Sequence, residues 1–242
     1  MRVVAVIQAR TGSTRLPGKV LEPIAGRPLV LWTLAAIQAV QAVDDVVVAT
    51  TTQSLDDSLA ALIAEQGVHV HRGPTTDVLT RCWEAVAPFE PALVVRETAD
   101  NPFVDPGVVD RQIARAIEDD LDYVGISGWP LGIAAEVARA GALEIAYRES
   151  VDSADREHVM PYLYNHPERF SLGTVSPAEP IPPGRFTVDT EQDLAFARAV
   201  AQRLGSFRPT SIGELAGIVA AEPELLELNR EVVQRSWQEV GP

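Results

Sequence analysis

The feature that most constrains the fold of this chain is a regular alternation of short valine-rich runs with longer helical patterns. Short apolar runs bounded by turn or charged residues are typical of buried parallel strands. We predict strands at 3–9, 46–50, 68–72, 92–98 and 122–126, and helices at 28–40, 54–67 and 77–89. Alternating strands and helices pair in parallel through right-handed crossovers. The predicted fold class is therefore α/β, a single domain with a mostly parallel, doubly wound sheet.

The helix at 54–67 has the most complete local signals. Ser54 and Asp57 resemble a capping box at its start, and Gly67 stands where a helix ends. Its apolar residues are spaced to share one helical face, and they are Leu55, Leu59, Leu62 and Ile63.

The second half of the chain is less regular. Segment 127–137 is compatible with a loop leading into a strand or with a short helix. The next predicted elements are a helix from Asp105–Pro106 to about 121, helices at 140–149 and 153–166, and a strand at 171–175. A proline-rich stretch at 177–184 then leads to a strand that ends at Asp189. The last two predicted helices are one capped by Thr190 and Asp193, which runs to about 204, and one that begins with Ser211 and Glu214. We expect one domain over 1–242, with a lobe at about 127–184 and a helical tail at about 205–242.

Charge and composition exclude several classes of protein. With 34 acidic and 20 basic residues the net charge is −14, so a general affinity for nucleic acid is not expected. No apolar stretch approaches the roughly 20 residues of a membrane helix, and the N-terminus runs directly into a predicted strand, so no membrane partner and a cytoplasmic location are expected. The single cysteine, Cys82, excludes an internal disulfide and indicates a buried, inert thiol.

A local cationic cluster follows the first predicted strand. The segment VIQARTGSTRLPGKVL, residues 6–21, carries Arg10, Arg15 and Lys19 together with glycines. Glycine lets a backbone approach a phosphate, and the loop after the first strand lies at the carboxyl edge where doubly wound sheets bind ligands. The spacing fits neither a Walker loop nor the dinucleotide fingerprint. The residues alone thus predict a phosphate loop of unspecified class, with a solvated basic turn as the alternative.

Two aspartates follow other predicted strands at the same edge. Asp100 stands in RETADNPFVDP at 96–106, and Asp189 in FTVDTEQD at 186–193. Carboxylates from separate strand ends are a common way to hold Mg²⁺ against a nucleotide phosphate. Each aspartate alone is equally compatible with a turn or cap residue, and Asp193, three residues after Thr190, is predicted to cap a helix.

A set of motifs in a fixed order resembles one enzyme family. QARTGSTRLPGKVL, DVLTRCWEA at 77–85, RETADNPFVDP, DREHVMPYLYNHPERF at 155–170 and FTVDTEQDL at 186–194 are similar to the spore-coat polysaccharide type of cytidylyltransferases, relatives of the enzymes that make CMP-keto-deoxyoctonate and CMP-acylneuraminate. The resemblance implies a nucleotide-diphospho-sugar transferase (GT-A-like) fold. It also implies CTP as cosubstrate, Mg²⁺ as cofactor, a sugar acid, sugar phosphate or phosphonate as acceptor, and a homodimer formed through the lobe.

The resemblance also implies roles for individual residues. Lys19, Arg10 and Arg15 would be catalytic, and Asp100 and Asp189 would bind the metal. The nucleotide would contact Gln8, Ala9, Arg10, Gly12, Ser13, Arg15, Lys19, Asp77 and Arg81. The acceptor would contact Glu136, Arg156, Glu157 and His158. Ala134 departs from the family pattern, which has a carboxylate at that position, so the usual acceptor is in doubt.

Two alternative functions are compatible with the same sequence features. A glycosyltransferase of this fold would consume a nucleotide sugar and would need a D-x-D metal motif in mid-chain. The nearest acidic cluster, at 119–122, falls at a predicted helix end, where a solvated cap is favoured. The second alternative is a non-catalytic nucleotide-binding protein. Turnover of CTP with release of pyrophosphate would separate the transferase from both.

Overall fold

The computed structural model describes residues 1–179, 181 and 184–234, and it places seven strands in one sheet. Their bounds are β1 Val3–Gln8, β4 Asp45–Thr51, β5 His69–Gly73, β6 Leu93–Thr98, β7 Tyr123–Ile126, β8 Glu136–Arg139 and β9 Leu172–Val175. A small antiparallel pair, β2 Pro23–Ile24 and β3 Arg27–Pro28, lies outside this sheet. The strand order is β5-β4-β1-β6-β8-β7-β9, and only β8 runs against its neighbours. The predicted mostly parallel α/β fold is confirmed.

Nine α-helices surround the sheet in the described part of the chain. Their bounds are α1 Leu29–Gln38, α2 Asp57–Glu65, α3 Val78–Val86, α4 Pro106–Glu118, α5 Ala140–Glu149, α6 Ser153–His158, α7 Pro161–Tyr164, α8 Glu191–Leu204 and α9 Ile212–Ala221. Within the same residues no helix has both the length and the apolar character needed to cross a bilayer. The predicted helix N-caps at Asp105 and Ser211 and the predicted capping box of Thr190 with Asp193 are all present.

The core is built on both faces of the sheet, because alternate side chains of a strand point in opposite directions. Ala5 and Ile7 of β1 pack with α1, α2 and α4 on one face. Val4 and Val6 pack with α3, α5 and α7 on the other, where Cys82 is fully buried as predicted. A third cluster gathers α8 and α9 around Trp32 and Phe103. The helices thus hold the carboxyl ends of β1 and β6 side by side, with Gln8 opposite Thr98.

The start of the helix predicted at 54–67 is wrong in detail. Residues Ser54–Asp56 form a 3₁₀ turn, and α2 begins only at Asp57 without a side-chain cap. Asp56 is directed instead toward the loop after β1, as described below. The tighter turn also removes Leu55 from the apolar face of the helix, and Leu55 is 65% exposed whereas Leu59 is fully buried. Gly67 does end the segment, with a φ of 73°.

Two other predicted elements differ from the structure. The helix expected at 153–166 is broken between α6 and α7, where Val159 has a φ of 75° and Pro161, which lacks an N–H donor, begins a new helix. The strand expected to end at Asp189 is absent from the described residues around it, which contribute only a single bridge between Arg185 and Leu131. That segment crosses the strand ends instead, because Val188 N–H donates to Asp100 O at 2.8 Å.

Segment 127–137, left open by the sequence, is a loop that leads into β8. Part of the proline-rich stretch and the last part of the predicted tail, residues 180, 182–183 and 235–242, lie outside the described residues. The 127–135 loop is joined to the segment before α8 where Phe186 N–H donates to Leu131 O at 2.8 Å. Gly132 stands at this junction with a φ of 89°, and a Cβ there would lie 2.6 Å from Thr187 N.

Because Gly132 lies so close to the Thr187 backbone, we predict that a side chain at position 132 destabilises the protein. Replacing Gly132 with Ala forces a positive φ on a residue with a Cβ and pushes it against the Thr187 backbone. We expect Gly132→Ala to lower the free energy of unfolding by about 2–5 kcal/mol, since backbone strain and overpacking each cost about 1–3 kcal/mol. Gly141→Ala in α5, where a Cβ meets nothing within 4 Å, is the matched control and should be neutral or slightly stabilising. Urea denaturation of both variants measures the difference, and equal midpoints would contradict the prediction.

Candidate active site

The loop between β1 and the 3₁₀ turn at Lys19–Leu21 is held by its own backbone and by one distant carboxylate. Thr11 O accepts from Ser13 N–H at 2.9 Å and from Gly18 N–H at 2.8 Å, and Gly18 has a φ of 75°. Asp56 Oδ1 accepts from the backbone N–H of Thr11 at 2.7 Å and from its hydroxyl at 2.6 Å. Asp56 is therefore a structural residue of the loop that the sequence did not identify, because it is distant in the chain and was interpreted as part of a helix start.

The environment of Asp56 explains why it can be buried. Burial alone would raise the pKa of its carboxyl, but hydrogen bonds from Thr11 and Thr51 outweigh that cost and hold the pKa below its usual range. The charged carboxylate thus remains available to anchor the loop at neutral pH.

Lys19 joins the basic loop to both predicted metal aspartates. Its Nζ donates to Asp100 Oδ2 at 2.7 Å, to Asp189 Oδ1 at 2.8 Å and to Val188 O at 2.8 Å. An ammonium group has three N–H donors, so these three acceptors satisfy it completely. Burial disfavours the charged form of Lys19, but the two carboxylates outweigh this effect and raise its pKa.

Asp189 is surrounded by positive charge. Besides Lys19, its Oδ1 contacts Arg15 Nη2 at 2.9 Å, and its Oδ2 accepts from Arg185. Burial opposes ionisation of Asp189, but Lys19 and the two arginines outweigh it and keep the pKa of the carboxyl low. Asp193 Oδ2 accepts from the N–H of Asp189 at 3.0 Å while it caps α8, which orients the segment. Arg185 is a second residue that the sequence did not identify.

Two adjoining cavities meet at this ion cluster. The first, here called the loop cavity, is lined by the predicted residues Gln8, Ala9, Arg10, Ser13, Arg15, Lys19, Arg81, Asp100, Glu157, His158 and Asp189. The second, the strand-end cavity, shares with it Gln8, Arg15, Asp100, His158 and Asp189 and adds residues that include Arg96, Glu97, Asn101, Tyr123, Ala134 and Glu136. Its volume of about 460 Å³ is in the range of small-molecule sites.

Three predicted site residues are not among the described residues that line either cavity, and these are Gly12, Asp77 and Arg156. Asp77 caps α3 by accepting from Thr80 N–H at 2.9 Å. Arg156 donates to Ser150 O at 2.7 Å and lies over the ring of Tyr147. Both side chains therefore support the wall around α3 and α6. Arg81 does line the loop cavity, but its buried guanidinium also donates to the carbonyl of Thr75 at 3.2 Å.

The strand-end cavity contains an ion pair on neighbouring strands. Arg96 Nη1 donates to Glu136 Oε2 at 2.7 Å, and Arg96 Nη2 donates to Gln8 Oε1 at 2.8 Å. The Tyr123 hydroxyl donates to the other oxygen of Glu136 at 2.8 Å. The predicted acceptor residue Glu136 is thus held by two side chains that the sequence did not identify. The available signal is the arginine inside a valine-rich strand, since a buried charge needs a partner.

Glu97 is a buried carboxyl in the same cavity. Its Oε1 accepts from Thr98 N–H at 2.7 Å and from the Asn101 amide at 2.6 Å, while its Oε2 has no hydrogen-bond partner among the described residues. Burial raises the pKa of Glu97 to about 8 in spite of these bonds. Glu97 is therefore mostly uncharged at neutral pH, unlike Asp189.

The acidic cluster at 119–122 lies away from both cavities. It follows α4 and precedes β7, at the sheet edge opposite to the strand ends that carry Asp100. Asp122 Oδ2 accepts from Ser171 N–H at 2.9 Å, and Asp120 pairs with Arg139. These contacts connect surface turns, and they do not form the mid-chain metal motif that a glycosyltransferase would need.

Comparison with known proteins gives consistent results. A family model described as "Cytidylyltransferase" matches residues 4–234. The spore coat polysaccharide biosynthesis protein SpsF of Bacillus subtilis is 34% identical over 229 residues, 92% of this chain and 95% of that protein. A 3-deoxy-manno-octulosonate cytidylyltransferase of Synechococcus elongatus is 34% identical over 131 residues, 54% of this chain and 53% of that one. The structure of a cytidylyltransferase from Leptospira borgpetersenii superposes with a TM-score of 0.89, at 24% identity, over 97% of this chain and 100% of that one.

Glu97 generates a testable pH dependence. Its folded-state pKa of about 8 lies above the usual 4.5, so the folded protein holds a proton that the unfolded chain releases between these values. This residue therefore makes the protein less stable as pH rises from about 5 to 8, by an amount on the order of a few kcal/mol. Glu97→Gln cannot ionise, and we expect its melting temperature to exceed that of the wild type increasingly over this range. Glu118→Gln at an exposed position is the control; a pH-independent difference for Glu97→Gln would refute the assignment.

Proposed function

The chain belongs to the cytidylyltransferase family, and from this premise we propose that it transfers the cytidylyl group of CTP to a sugar acid or a related acceptor and releases pyrophosphate. The observation that carries the proposal is the Lys19 ammonium, which bridges Asp100 and Asp189 where the two cavities meet. This arrangement gathers a cation from the phosphate loop and two carboxylates at one point. The named relative that acts on 3-deoxy-manno-octulosonate supports a sugar acid as acceptor, with sugar phosphates and phosphonates as the other classes to test.

The loop cavity is the proposed site of the nucleotide. Arg10, Arg15 and Lys19 line it and provide positive charge in a protein whose net charge is −14. A triphosphate that enters this cavity meets these cations and the backbone of a glycine-containing loop. The strand-end cavity is the proposed site of the acceptor. Because Asp100 and Arg15 line both, the acceptor oxygen and the α-phosphate would meet beside them.

The chemical step is a displacement at phosphorus. The acceptor oxygen forms a bond to the α-phosphorus of CTP, its hydroxyl proton passes to solvent water, and the bond from that phosphorus to the pyrophosphate oxygen breaks. Negative charge increases on the leaving pyrophosphate, so preorganised cations lower the barrier. Lys19, Arg10 and Arg15 are proposed to stabilise that charge, while the walls of the strand-end cavity orient the acceptor.

The donor set fits a divalent cation. Oxygens of Asp100 and Asp189 both lie within 2.8 Å of one ammonium nitrogen, so they converge on a single positive charge. No group of three or more His, Cys, Asp or Glu side chains suited to a metal occurs in the described ranges, but Mg²⁺ commonly uses one or two carboxylates plus substrate phosphates. We propose that Asp100 and Asp189 hold Mg²⁺, which when bound neutralises phosphate charge.

The acceptor is tested by a screen for pyrophosphate release. The protein is incubated with Mg²⁺, each of the four nucleoside triphosphates and a panel that contains 3-deoxy-manno-octulosonate, other sugar acids, sugar phosphates and phosphonates. We expect release only with CTP and one acceptor class. Efficient turnover of 3-deoxy-manno-octulosonate would show that Ala134 does not alter the usual acceptor choice. Transfer of sugar from a nucleotide sugar would instead identify a glycosyltransferase, and CTP binding without turnover a non-catalytic protein.

We also propose that the protein acts in the cytoplasm and that it forms a homodimer. Light scattering on the purified protein tests the second.

Nucleotide preference gives a prediction that needs no acceptor. A ligand that binds only the folded protein stabilises it by RT ln(1 + [L]/Kd), about 2.7 kcal/mol at 100 Kd. We expect CTP with Mg²⁺ to raise the melting temperature more than GTP, ATP or UTP at equal concentration. A larger shift with GTP would overturn the cytidylyl assignment but not the fold.

Lys19 gives a prediction for the chemical step. Its charge strengthens its interaction with phosphate oxygens as the transition state forms, so its loss should affect kcat more than nucleotide binding. We expect Lys19→Met to lower kcat by about 10²-fold or more, the scale set by loss of one preorganised donor, with a smaller change in CTP affinity. Steady-state kinetics with CTP titrations measure both values. Arg198→Met, which removes an exposed cation paired with Glu22, is the control and should be fully active.

A further inference from the structure

The contacts of Lys19 point to a competition at the proposed metal site. We propose that the Lys19 ammonium holds the place of a divalent cation between Asp100 and Asp189, and that the two cations exchange when a nucleoside triphosphate enters. This inference depends on the proposed function in one respect, which is that the entering anion is a nucleoside triphosphate. Its consequence is an order of events, in which the metal binds well only together with the nucleotide.

Lys19 and a metal ion held by Asp100 and Asp189 need the same space. Lys19 Nζ lies 2.7 Å from Asp100 Oδ2 and 2.8 Å from Asp189 Oδ1. A magnesium ion held by the same two oxygens would have to occupy the space between them, which the ammonium fills. An ammonium and a divalent cation at one point overlap sterically and repel electrostatically. Binding of the metal between these carboxylates therefore requires Lys19 to move.

Lys19 will not leave the two carboxylates without a substitute partner. Its side chain is 9% exposed, and its three donors are used by Asp100, Asp189 and the carbonyl of Val188. A buried ammonium that lost these acceptors without new ones would carry an unpaired charge, which is costly. In the absence of a nucleotide the carboxylates thus keep Lys19, and a metal must displace it unaided.

The triphosphate of the nucleotide provides that partner. Lys19 lines the loop cavity, where the phosphates are proposed to lie. Its backbone is fixed at the start of the 3₁₀ turn, where Lys19 N–H donates to Leu16 O at 3.2 Å and Glu22 N–H donates to Lys19 O at 3.0 Å. Only the flexible side chain needs to turn from the carboxylates to a phosphate oxygen. The nucleotide and the metal then favour each other's binding, and this coupling is reciprocal.

Arg15 offers an internal comparison, because it contacts the same Asp189 oxygen as Lys19 but is not paired with Asp100 and so does not bridge the two carboxylates. Its Nη2 lies 2.9 Å from Asp189 Oδ1, and its side chain is 25% exposed. Loss of Arg15 removes one positive charge near Asp189, but it leaves Lys19 between the two carboxylates. If Lys19 and the metal compete for one position, loss of Lys19 should raise the metal affinity and loss of Arg15 should not. If only the total charge near Asp189 matters, both losses should raise the metal affinity equally.

The experiment is a titration with Mn²⁺, followed by the electron paramagnetic resonance signal of the free ion, without nucleotide. We expect Lys19→Met to bind Mn²⁺ at least 10-fold more tightly than the wild type, and the double variant Lys19→Met/Asp100→Asn to lose this gain. Arg15→Met and the surface control Arg198→Met should stay within about three-fold of the wild type. No gain in Lys19→Met, or an equal gain in either arginine variant, would overturn the proposal.

A second measurement, of melting temperature, tests the proposal even if Lys19→Met folds poorly. Lys19→Met leaves two carboxylates facing each other, so its melting temperature should fall in EDTA and rise with Mn²⁺ more than that of the wild type. Lys19→Gln, which keeps a hydrogen-bond donor without the charge, should show the same rescue. Absence of metal-dependent rescue in both variants counts against the proposal.

A third titration, at saturating CTP, tests the exchange itself. The CTP–Mn²⁺ complex is the same for both proteins, so a difference between them reports Lys19. CTP should increase the Mn²⁺ affinity of the wild type at least 10-fold more than that of Lys19→Met, and an equal increase would refute the exchange. The nucleotide-free titration remains decisive even if the protein proves not to release pyrophosphate from CTP, so the two proposals fail separately.

Discussion

The ion cluster of Lys19, Asp100 and Asp189 is the interaction on which the rest of the site depends. It joins three segments that are remote in the chain: the loop after β1, the turn after β6 and the segment before α8. Burying charges is costly, and removing one partner of a buried group leaves an uncompensated charge. Moving any one of the three segments away from the others would therefore leave an unpaired charge in a buried position. The sheet brings the first two of these segments together, because β1 and β6 are hydrogen-bonded neighbours whose carboxyl ends lie side by side.

Local patterns predicted most of the fold because strand and helix periodicity depend on neighbouring residues. The strands around Val6, Val48 and Val95 and the capped helix after Thr190 are in this class. Predictions failed where distant contacts outweigh local ones. Asp56 was expected within a helix start but binds Thr11, and the strand expected before Asp189 gives way to a crossing fixed by Asp100 and Leu131. No window of sequence contains both partners of such contacts.

The site was predictable to the extent that it follows from sheet geometry. The carboxyl ends of parallel strands share one edge, so the convergence of Asp100 with the basic loop could be expected from the sequence. What the sequence did not indicate is the direction of individual side chains. Asp77 and Arg156 belong to motifs that resemble the family, yet their polar groups are used by Thr80 and Ser150 to fix the wall of the site. The buried state of Glu97 likewise depends on packing around the end of β6, which a strand pattern does not reveal.

The reversed strand β8 explains how one edge of the sheet can line both cavities. Because β8 runs against β6, its first residue, Glu136, lies opposite Arg96 at the edge where β6 ends. The loop that precedes β8 therefore reaches the edge from outside the sheet, and Gly132 lets it pass close to the Thr187 backbone. Ala134 lies on this loop and lines the strand-end cavity, while the phosphate loop belongs to β1 on the other side of β6. Changes in the loop before β8 can thus alter the proposed acceptor site without moving Lys19. The two halves of the site share Asp100 and Asp189, because both carboxylates line both cavities.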